Sequence, residues 1–594
     1  MVVQIASIQA RELYTPTVEE YNEYANTHPD RWETTVKYGY YTLYFFAAGT
    51  FFAVAFNVCH KILHYRRFVS VAVNVSPVKS GRKAQVYALL RWLAYSYIPP
   101  SVNKYIAPVY TTGSFAQTFT LFGGFLFCTM YCFAITYYYR PPLYGSSPLG
   151  LRSEWIAMAM LPFIFAFAQK RNLIGTISGT SYEKLQVLHQ GVSILHFYMS
   201  LVHTFSMIIW GFREDAGVSY LIFYSGFGAL GPLIWLSLLS MPFIRQKTYE
   251  AFWFLHIAAA IAYLVTLWYH VWPYLDSSAY MYTTFAVCGW GLGLRIVFLI
   301  YRNLRAHTAE LTLSSSGAVL INIPTSMRWS PGQHAILRFY RVRPLESHPY
   351  SISSLPSPFT SPSASETPNT LSFVVAPQSG FSAALARSVA KAGGKRTLGV
   401  LVDGPFGESA PEFRAFDAVL LVAGGSGIAH ILPIFLDLVA CMRGESEVRS
   451  RCARVELVWS VRELETMHWY EQVLLDACRG LPSSAVSVHV FVTGHSPHPK
   501  SPDSSKGETK SMSPSIVDKE STPVELGLLS SRPPVLELVT ARGREWAGRV
   551  GVAVCGPDGL ARDTGNAVAG VQIDILQGRA ACEEMYLQTE LFSY

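Results

Sequence analysis

Apolar residues run in long blocks up to about residue 303, and beyond it they alternate with polar ones at strand spacing. Seven blocks stand out, roughly 38–59, 116–138, 154–169, 186–210, 219–244, 250–272 and 279–301. A helix of about 20 apolar residues crosses a bilayer core of about 30 Å, so the blocks read as membrane spans, the third being the shortest. After residue 303 come the short runs AELTLSS, AVLINI, HAILRFYRV, TLSFVVA and GVLVDGP. Their period of two and the turn residues between them predict a small antiparallel β-barrel. After about 415, AVLLVAGGSGIAHILPIFLDLVA, RVELVWSVRE, AVSVHVFV and VGVAVCGPDG alternate strand with helix. That order predicts an α/β doubly wound parallel sheet. Two Ser- and Pro-rich inserts, 355–368 and 494–523, cannot bury apolar surface and are expected to be disordered. The predicted organisation is an N-terminal extracytoplasmic segment (1–37), an α-helical membrane bundle of about seven spans (38–302), a barrel domain (303–412) and a nucleotide-binding α/β domain (413–594).

Composition agrees with a membrane chain. Half of the residues are hydrophobic and 15% are charged, against about 25% charged in soluble proteins. Charge alternates from loop to loop. Residues 61–114 hold eight Lys/Arg and no acid; Lys170, Arg171 and Lys184 follow the third block, and Arg245 and Lys247 follow the fifth. The intervening loops carry Glu214, Asp215 and Asp276. Basic loops stay on the cytosolic side, so the N-terminus is expected outside and the C-terminal half in the cytosol. The net charge of +7 then belongs to the inner loops and to anionic lipid of the bilayer, not to nucleic acid. The nine cysteines form no paired framework, as expected of a reduced compartment.

Two of the blocks carry histidines at matched spacing. His189 and His203 lie 14 residues apart in the fourth block, and His256 and His270 lie 14 apart in the sixth. Fourteen residues return to within about 40° of the starting face and rise about 21 Å. Each helix thus shows one imidazole near each edge of the hydrocarbon core. Ionisable groups at that depth are costly and usually functional. Two helices with matched pairs can clamp two stacked haems through iron–histidine bonds. His196, midway along the first helix, has no counterpart on the second and reads as packing between the haems.

The C-terminal half holds the candidate nucleotide chemistry. Gly424-Gly425-Ser426-Gly427 follows the strand Ala418–Val422 and opens a helix at Ile428. Glycines let a pyrophosphate approach the backbone, and the helix N-terminus supplies amide donors; a plain strand–helix turn has the same letters. Ser460 and Arg462 end the next strand, where an Arg pairs with a 2′-phosphate and favours NADPH over NADH. Cys555-Gly556-Pro557 ends a later strand; its thiol is placed to lie against a nicotinamide ring, although a structural Cys looks the same. In the barrel, His348-Pro349-Tyr350-Ser351 offers a ring to stack on a flavin and a hydroxyl for a ring nitrogen. Gly380 and Ser382 open a helix suited to the flavin pyrophosphate.

Taken in order, the two His pairs, Tyr249-Glu250, PGQH (331–334), HPYS (348–351), GPFG (404–407), GGSGI (424–428), WSVRE (459–463) and CGP (555–557) resemble the fungal ferric reductase family of membrane flavocytochromes. The resemblance implies a ferredoxin reductase-like module behind the membrane bundle. It implies two haems b ligated by His189, His203, His256 and His270, and FAD held at His348 to Ser351, Gly380, Ser382, Gly404 and Pro405. It implies NADPH held at Gly424 to Ile428, Ser460, Arg462, Gly556 and Pro557, with Cys555 catalytic. Where members often have Arg-Trp after the first haem ligand, this chain has Gln190-Gly191, which removes an Arg contact to a haem propionate. Members often end in an aromatic that covers the flavin; Tyr594 is the expected substitute, with Phe592 as the alternative. The implied activity is NADPH-dependent reduction of ferric, or cupric, chelates outside the cell, at the plasma membrane or a vacuolar one, with a metal permease or multicopper oxidase downstream. The competing expectations are a superoxide-producing NADPH oxidase, and a haem or metal transport protein with a degenerate reductase tail.

Overall fold

The structure is a computed structural model. It describes the chain from 16 to 591 except 29–31, 73–80, 211–219, 357–368, 408–412, 446–449, 495–526 and short turns at 109, 112, 142–143, 145, 172, 179–181, 273–274, 379 and 530. Glu214, Asp215, Phe592, Tyr594 and nearly all of both Ser/Pro-rich inserts therefore lie outside the described residues.

The N-terminal half consists chiefly of helices α1 (Trp32–Ala72), α2 (Gly81–Tyr95), α3 (Phe115–Phe133), α4 (Pro148–Ala168), α5 (Tyr182–Trp210), α6 (Tyr220–Leu238), α7 (Tyr249–Val271) and α8 (Ser278–Arg302). All but α2 are apolar and correspond to the seven blocks. Six of these are long and apolar enough to cross a membrane, and α6 has the same character over the slightly shorter stretch Ile222–Leu238.

The third span departs most from its apolar block. Helix α4 begins at Pro148, ahead of the block, with Ser147 capping it by accepting the Gly150 N–H at 3.2 Å. Proline at the first helical turn costs no hydrogen bond. Arg152 and Glu154 cut the apolar run short in the sequence, yet α4 is the innermost span. Its apolar window is 72% buried, against 6% for α1 and 11% for α7. Arg152 is fully buried and donates to the carbonyls of Cys132 (3.3 Å), Ile135 (2.7 Å) and Tyr137 (2.7 Å). Cys132 lies in the last turn of α3, and Ile135 and Tyr137 lie in the segment that follows it, so one guanidinium ties down the end of α3 and the chain leaving it. Helix α3 stops at Phe133, before the end of its block.

The barrel strands are β1 (His307–Leu313), β2 (Val319–Thr325), β3 (His334–Arg338), β4 (His348–Ser351), β5 (Asn369–Val375) and β6 (Lys395–Phe406), with helix α9 (Gly380–Ala390) before β6. They form a curled antiparallel sheet in the order β4-β3-β6-β1-β2-β5. In β2, Val319, Ile321 and Ile323 are buried while Asn322 and Pro324 are exposed, the alternation of a strand with one face on a core.

The last unit contains β7 (Ala418–Gly424), α10 (Ile428–Met442), β8 (Arg454–Val461), α11 (Glu471–Cys478), β9 (Val486–Val492), β10 (Gly527–Leu529), α12 (Val535–Glu545), β11 (Gly548–Gly556), α13 (Asp558–Leu576) and β12 (Cys582–Leu591). The strands run parallel in the order β10-β9-β8-β7-β11-β12. Every residue of β7 is buried, as befits a central parallel strand. The stretch Gly425–Met442 is as apolar as a span, but it packs on this sheet and is core. Strand order reverses between β7 and β11, and ligands of such sheets bind at the carboxyl ends of the strands at that point.

Helix α2, from the basic segment between the first two spans, docks on this last unit. Arg91 pairs with Glu584 of β12 at 2.5 Å, and the Tyr97 N–H donates to Asn566 of α13 at 2.8 Å. Part of the basic charge read as membrane orientation therefore holds the nucleotide domain.

Candidate functional site

The four histidines meet as two pairs. Helix α5 packs on α4 and α7 packs on α6, and the imidazoles reach across the gap between α5 and α7. His189 faces His256 with ring centroids 6.4 Å apart and planes at 71°; His203 faces His270 at 6.2 Å and 76°. Each ring is held by Nδ1. His189 bonds the Ile164 carbonyl at 2.9 Å, His203 the Gly150 carbonyl at 2.9 Å, and His270 the Ile222 carbonyl at 2.8 Å. His256 bonds the Ser240 hydroxyl at 3.0 Å. A carbonyl can only accept, so in His189, His203 and His270 Nδ1 carries the proton and Nε2 keeps its lone pair. A metal about 2.0 Å from each of two facing ring nitrogens, each nitrogen about 1.1 Å from its centroid, needs centroids about 6.2 Å apart. Both pairs have that separation.

The surroundings of the pairs fit haem. A cleft opens beside His256, lined by Trp235, Ser240, Thr248 and Phe252. Arg245, next in the chain to the lining residue Ile244, donates Nη2 to Thr111 at 3.1 Å, while its buried Nε has no partner among the described residues. Burial draws this guanidinium below its ordinary pKa, and Tyr249 acts in the opposite sense. An enclosed guanidinium edge without an acid is what a propionate would satisfy. Gly226 makes room at the other pair, since a Cβ there would sit 2.9 Å from His270 Cε1. His196 has both nitrogens engaged, to the Ala157 carbonyl at 2.9 Å and the Tyr263 hydroxyl at 2.6 Å, and so offers no lone pair to a metal.

In the barrel, His348 stacks on Phe381 with centroids 4.7 Å apart, which joins the HPYS strand to the start of α9. Gly380 has φ +56°, a conformation only glycine adopts freely, and the Ser382 hydroxyl accepts from the Gln378 N–H at 3.1 Å. Pro349 is exposed, and Tyr350 and Ser351 are half-buried, with Ser351 opposite His334 in the ladder. Burial raises the Tyr350 pKa, so its hydroxyl stays protonated. A Cβ on Gly404 would meet the Ala335 Cα at 2.9 Å, so glycine lets the turn before Pro405 lie against β3.

The nucleotide residues converge at the reversal of the sheet. A Cβ on Gly427 would lie 2.2 Å from the Cys555 carbonyl oxygen, and one on Gly424 would lie 2.7 Å from Pro557 Cδ. The two loops thus pack backbone to backbone, with Gly556 against Gly424. Gly425, at φ +55°, has open space where a side chain would stand, and Ser426 lies beside it at the start of the helical turn leading to Ile428. Ser460 pairs in register with Gly424. Arg462 is exposed and joins no ion pair among the described residues. Cys555 is fully buried, and burial followed by the nearby Glu590 pushes its pKa well above the ordinary thiol value. It is a protonated thiol at a strand end, not a thiolate.

Several residues at the junctions carry no role in the sequence patterns. His334, from PGQH, lies 4.0 Å by Nδ1 from Glu590 of β12 and 6.0 Å by centroid from Phe406, where barrel and nucleotide domain meet. Asp403 joins barrel to bundle. It accepts from Arg295 Nε at 3.2 Å and lies 3.6 Å from Arg171 Nη2. The Arg171 guanidinium is sandwiched 4.6 Å from the rings of both Phe298 and Phe406. His334 lies within PGQH, whereas Ser240, Arg245 and Asp403 sit in no motif.

Three family models match the chain: "Ferric reductase like transmembrane component" over 153–267, "FAD-binding domain" over 304–410 and "Ferric reductase NAD binding domain" over 416–569. The probable cell surface ferric reductase kap2 of Aspergillus oryzae is 30% identical over 69% of this chain, and the match spans 56% of that protein's length. Ferric/cupric reductase transmembrane component 7 of Saccharomyces cerevisiae is 27% identical over 95% of this chain and 94% of its own. Among solved structures, a flavohemoglobin from Malassezia yamatoensis with bound FAD and heme aligns over 74% of this chain and 96% of its own at 13% identity, with a TM-score of 0.34. The ferredoxin reductase of carbazole 1,9a-dioxygenase aligns over 47% and 68% at 15% identity, with a TM-score of 0.28. With membrane, FAD-binding and NAD-binding modules matched in that order, the chain belongs to the ferric reductase family of membrane oxidoreductases.

Proposed function

We propose that this protein carries electrons from NADPH through FAD and two haems to a ferric, or cupric, chelate on the opposite side of the membrane. The observation that carries the reading is the pair of facing imidazole sets, 6.4 and 6.2 Å apart, stacked within an apolar bundle that adjoins a flavin and nucleotide module. His189 with His256 would hold the inner haem, and His203 with His270 the outer one. Bound there, each haem takes up and releases one electron, while the flavin converts a two-electron hydride into single electrons. The protein's part is orientation and insulation. Ile164, Gly150 and Ile222 fix the tautomers of three imidazoles and Ser240 hydrogen-bonds the fourth; Arg245 would hold the inner haem's propionate. Gly424 to Ile428 seat the pyrophosphate, Ser460 and Arg462 the 2′-phosphate, and Cys555 to Pro557 the nicotinamide end. Positions 348–351, 380, 382, 404 and 405 serve FAD. The basic inner loops support a cytosolic reductase half, most simply beneath the plasma membrane.

The test is an anaerobic visible spectrum of the purified protein, with NADPH added and then ferric chelate, cupric salt or oxygen. We expect two haems per chain that are reduced by NADPH and reoxidised fastest by ferric chelate. Fastest reoxidation by oxygen with superoxide release would make the protein an oxidase. Haem that NADPH leaves oxidised would support a transport role.

A further inference from the structure

We propose that His196 and Tyr263 form a hydrogen-bonded bridge between the two haem positions and act as positioning residues for electron transfer from the inner to the outer haem. The inference rests on the reading of the four histidines as haem ligands.

The geometry is that of a three-rung ladder. His189, His196 and His203 follow one another at intervals of seven residues along α5. Their Nδ1 atoms bond the carbonyls of Ile164, Ala157 and Gly150, which descend α4 at the same interval in the opposite sense. Seven residues make about two turns and about 10.5 Å of rise, so the middle rung is equidistant from the two pairs. On α7 the facing residues are His256, Tyr263 and His270, again seven apart. The middle rung has nearly the ring geometry of the others, with centroids 5.9 Å apart and planes at 76°. It differs in one respect: the second partner is a phenol.

That difference fixes the chemistry. The proton on His196 Nδ1 goes to the Ala157 carbonyl, so Nε2 accepts and the Tyr263 hydroxyl donates at 2.6 Å. The bond occupies the lone pair that would otherwise make His196 a third ligand between two ligand pairs. It also ties α5 to α7 across the gap at mid-depth. His196 is 3% and Tyr263 4% exposed, so water is excluded there. The medium between the haem positions is then a closed pair of rings and not a mobile or hydrated space. One electron leaves the inner haem, which is oxidised, and enters the outer haem, which is reduced. Both bridge protons stay where they are.

The test uses full-length protein in lipid nanodiscs. Tyr263→Phe removes only the hydroxyl; His196→Leu removes the acceptor; His196→Gln restores an acceptor at similar reach. We expect Tyr263→Phe to keep two haems per chain, to shift their low-spin EPR signals and to slow inter-haem transfer severalfold after rapid flavin reduction. His196→Gln is expected to stay closer to wild type than His196→Leu. Should His196→Leu lose haem, Tyr263→Phe decides alone. Wild-type EPR signals and transfer rates in Tyr263→Phe would overturn the bridge. Wild-type protein without two haems would overturn the ligand assignment instead, which separates the two failures.

Discussion

Replacing Asp403 by Asn tests whether one carboxylate holds the flavin barrel against the membrane bundle. The Asp403 side chain is 7% exposed and serves two guanidiniums, Arg295 at 3.2 Å and Arg171 at 3.6 Å. Asn keeps the shape and removes the charge. Arg171 would then lie between Phe298 and Phe406 with its cation unbalanced. Burial already draws its pKa down, and Asp403 is the main group acting the other way. Stranding a buried charge costs about 3–5 kcal/mol. Arg295 is 36% exposed, so water screens its share and the lower end applies. At 1.4 kcal/mol per decade, about 3 kcal/mol shifts the docked equilibrium roughly 100-fold. Stopped-flow absorbance separates the consequences: flavin reduction by NADPH should stay near wild type, and the following haem reduction should slow sharply. Arg171→Met should cost less in the Asp403→Asn background than alone, because the two residues share one interaction. Haem reduction at the wild-type rate in Asp403→Asn, or strict additivity of the two changes, would refute the argument.

Three further outcomes are expected. With His256 ligating through Nε2, its Nδ1 proton goes to Ser240, so Ser240→Ala would lower that ligand's basicity and should raise the inner haem's midpoint potential while leaving the outer one in place; a potentiometric titration with both midpoints unmoved counts against it. Arg462→Ala should raise the KM for NADPH far more than for NADH, since the lost contact is to a phosphate; equal weakening of both removes the 2′-phosphate role. Cys452 and Cys582 are buried, with pKa values pushed up to about 12, and Cys478 to about 11. The folded thiols hold protons that unfolded ones release above the ordinary value, so their stabilisation is complete at neutral pH and is lost as pH rises from about 9 toward those values. Iodoacetamide at pH 8 should leave all three unmodified until the protein is unfolded, and mass spectrometry of the alkylated peptides reads this directly.

The parts of the fold that were legible are those whose physics repeats along the chain. A 14-residue interval puts His189 and His203 on one face wherever the helix is straight, so the pairing survived without coordinates. Hydropathy found the seven spans for the same reason, and it missed the ends of α3 and α4. There Arg152 reaches backbone carbonyls in and after the last turn of α3 and Ser147 caps α4, contacts that have no sequence period. Strand β12 was missed because Glu583, Glu584, Gln588 and Glu590 break its apolar run. Glu584 is tolerable at 9% exposure because Arg91, some five hundred residues away in sequence, comes to it. A strand that depends on a distant cation cannot be found by local alternation.

The middle rung shows the same limit from the other side. Sequence alone set His196 aside because no histidine faces it at the midpoint of α7. Tyr263 stands at the matching position, and a phenol does not repeat the histidine pattern. What identifies the rung is the acceptor series Ile164, Ala157 and Gly150, and backbone carbonyls have no residue identity to read. Those three oxygens step along α4 in time with the histidines of α5, so His196 is bound by the same constraint as the proposed ligands. Only the atom opposite distinguishes it. A nitrogen opposite leaves two lone pairs for a metal; a phenol opposite supplies a proton and closes the rung. The difference between a proposed ligand position and a spacer in this bundle therefore comes down to the residue on α7, at 256, 263 and 270.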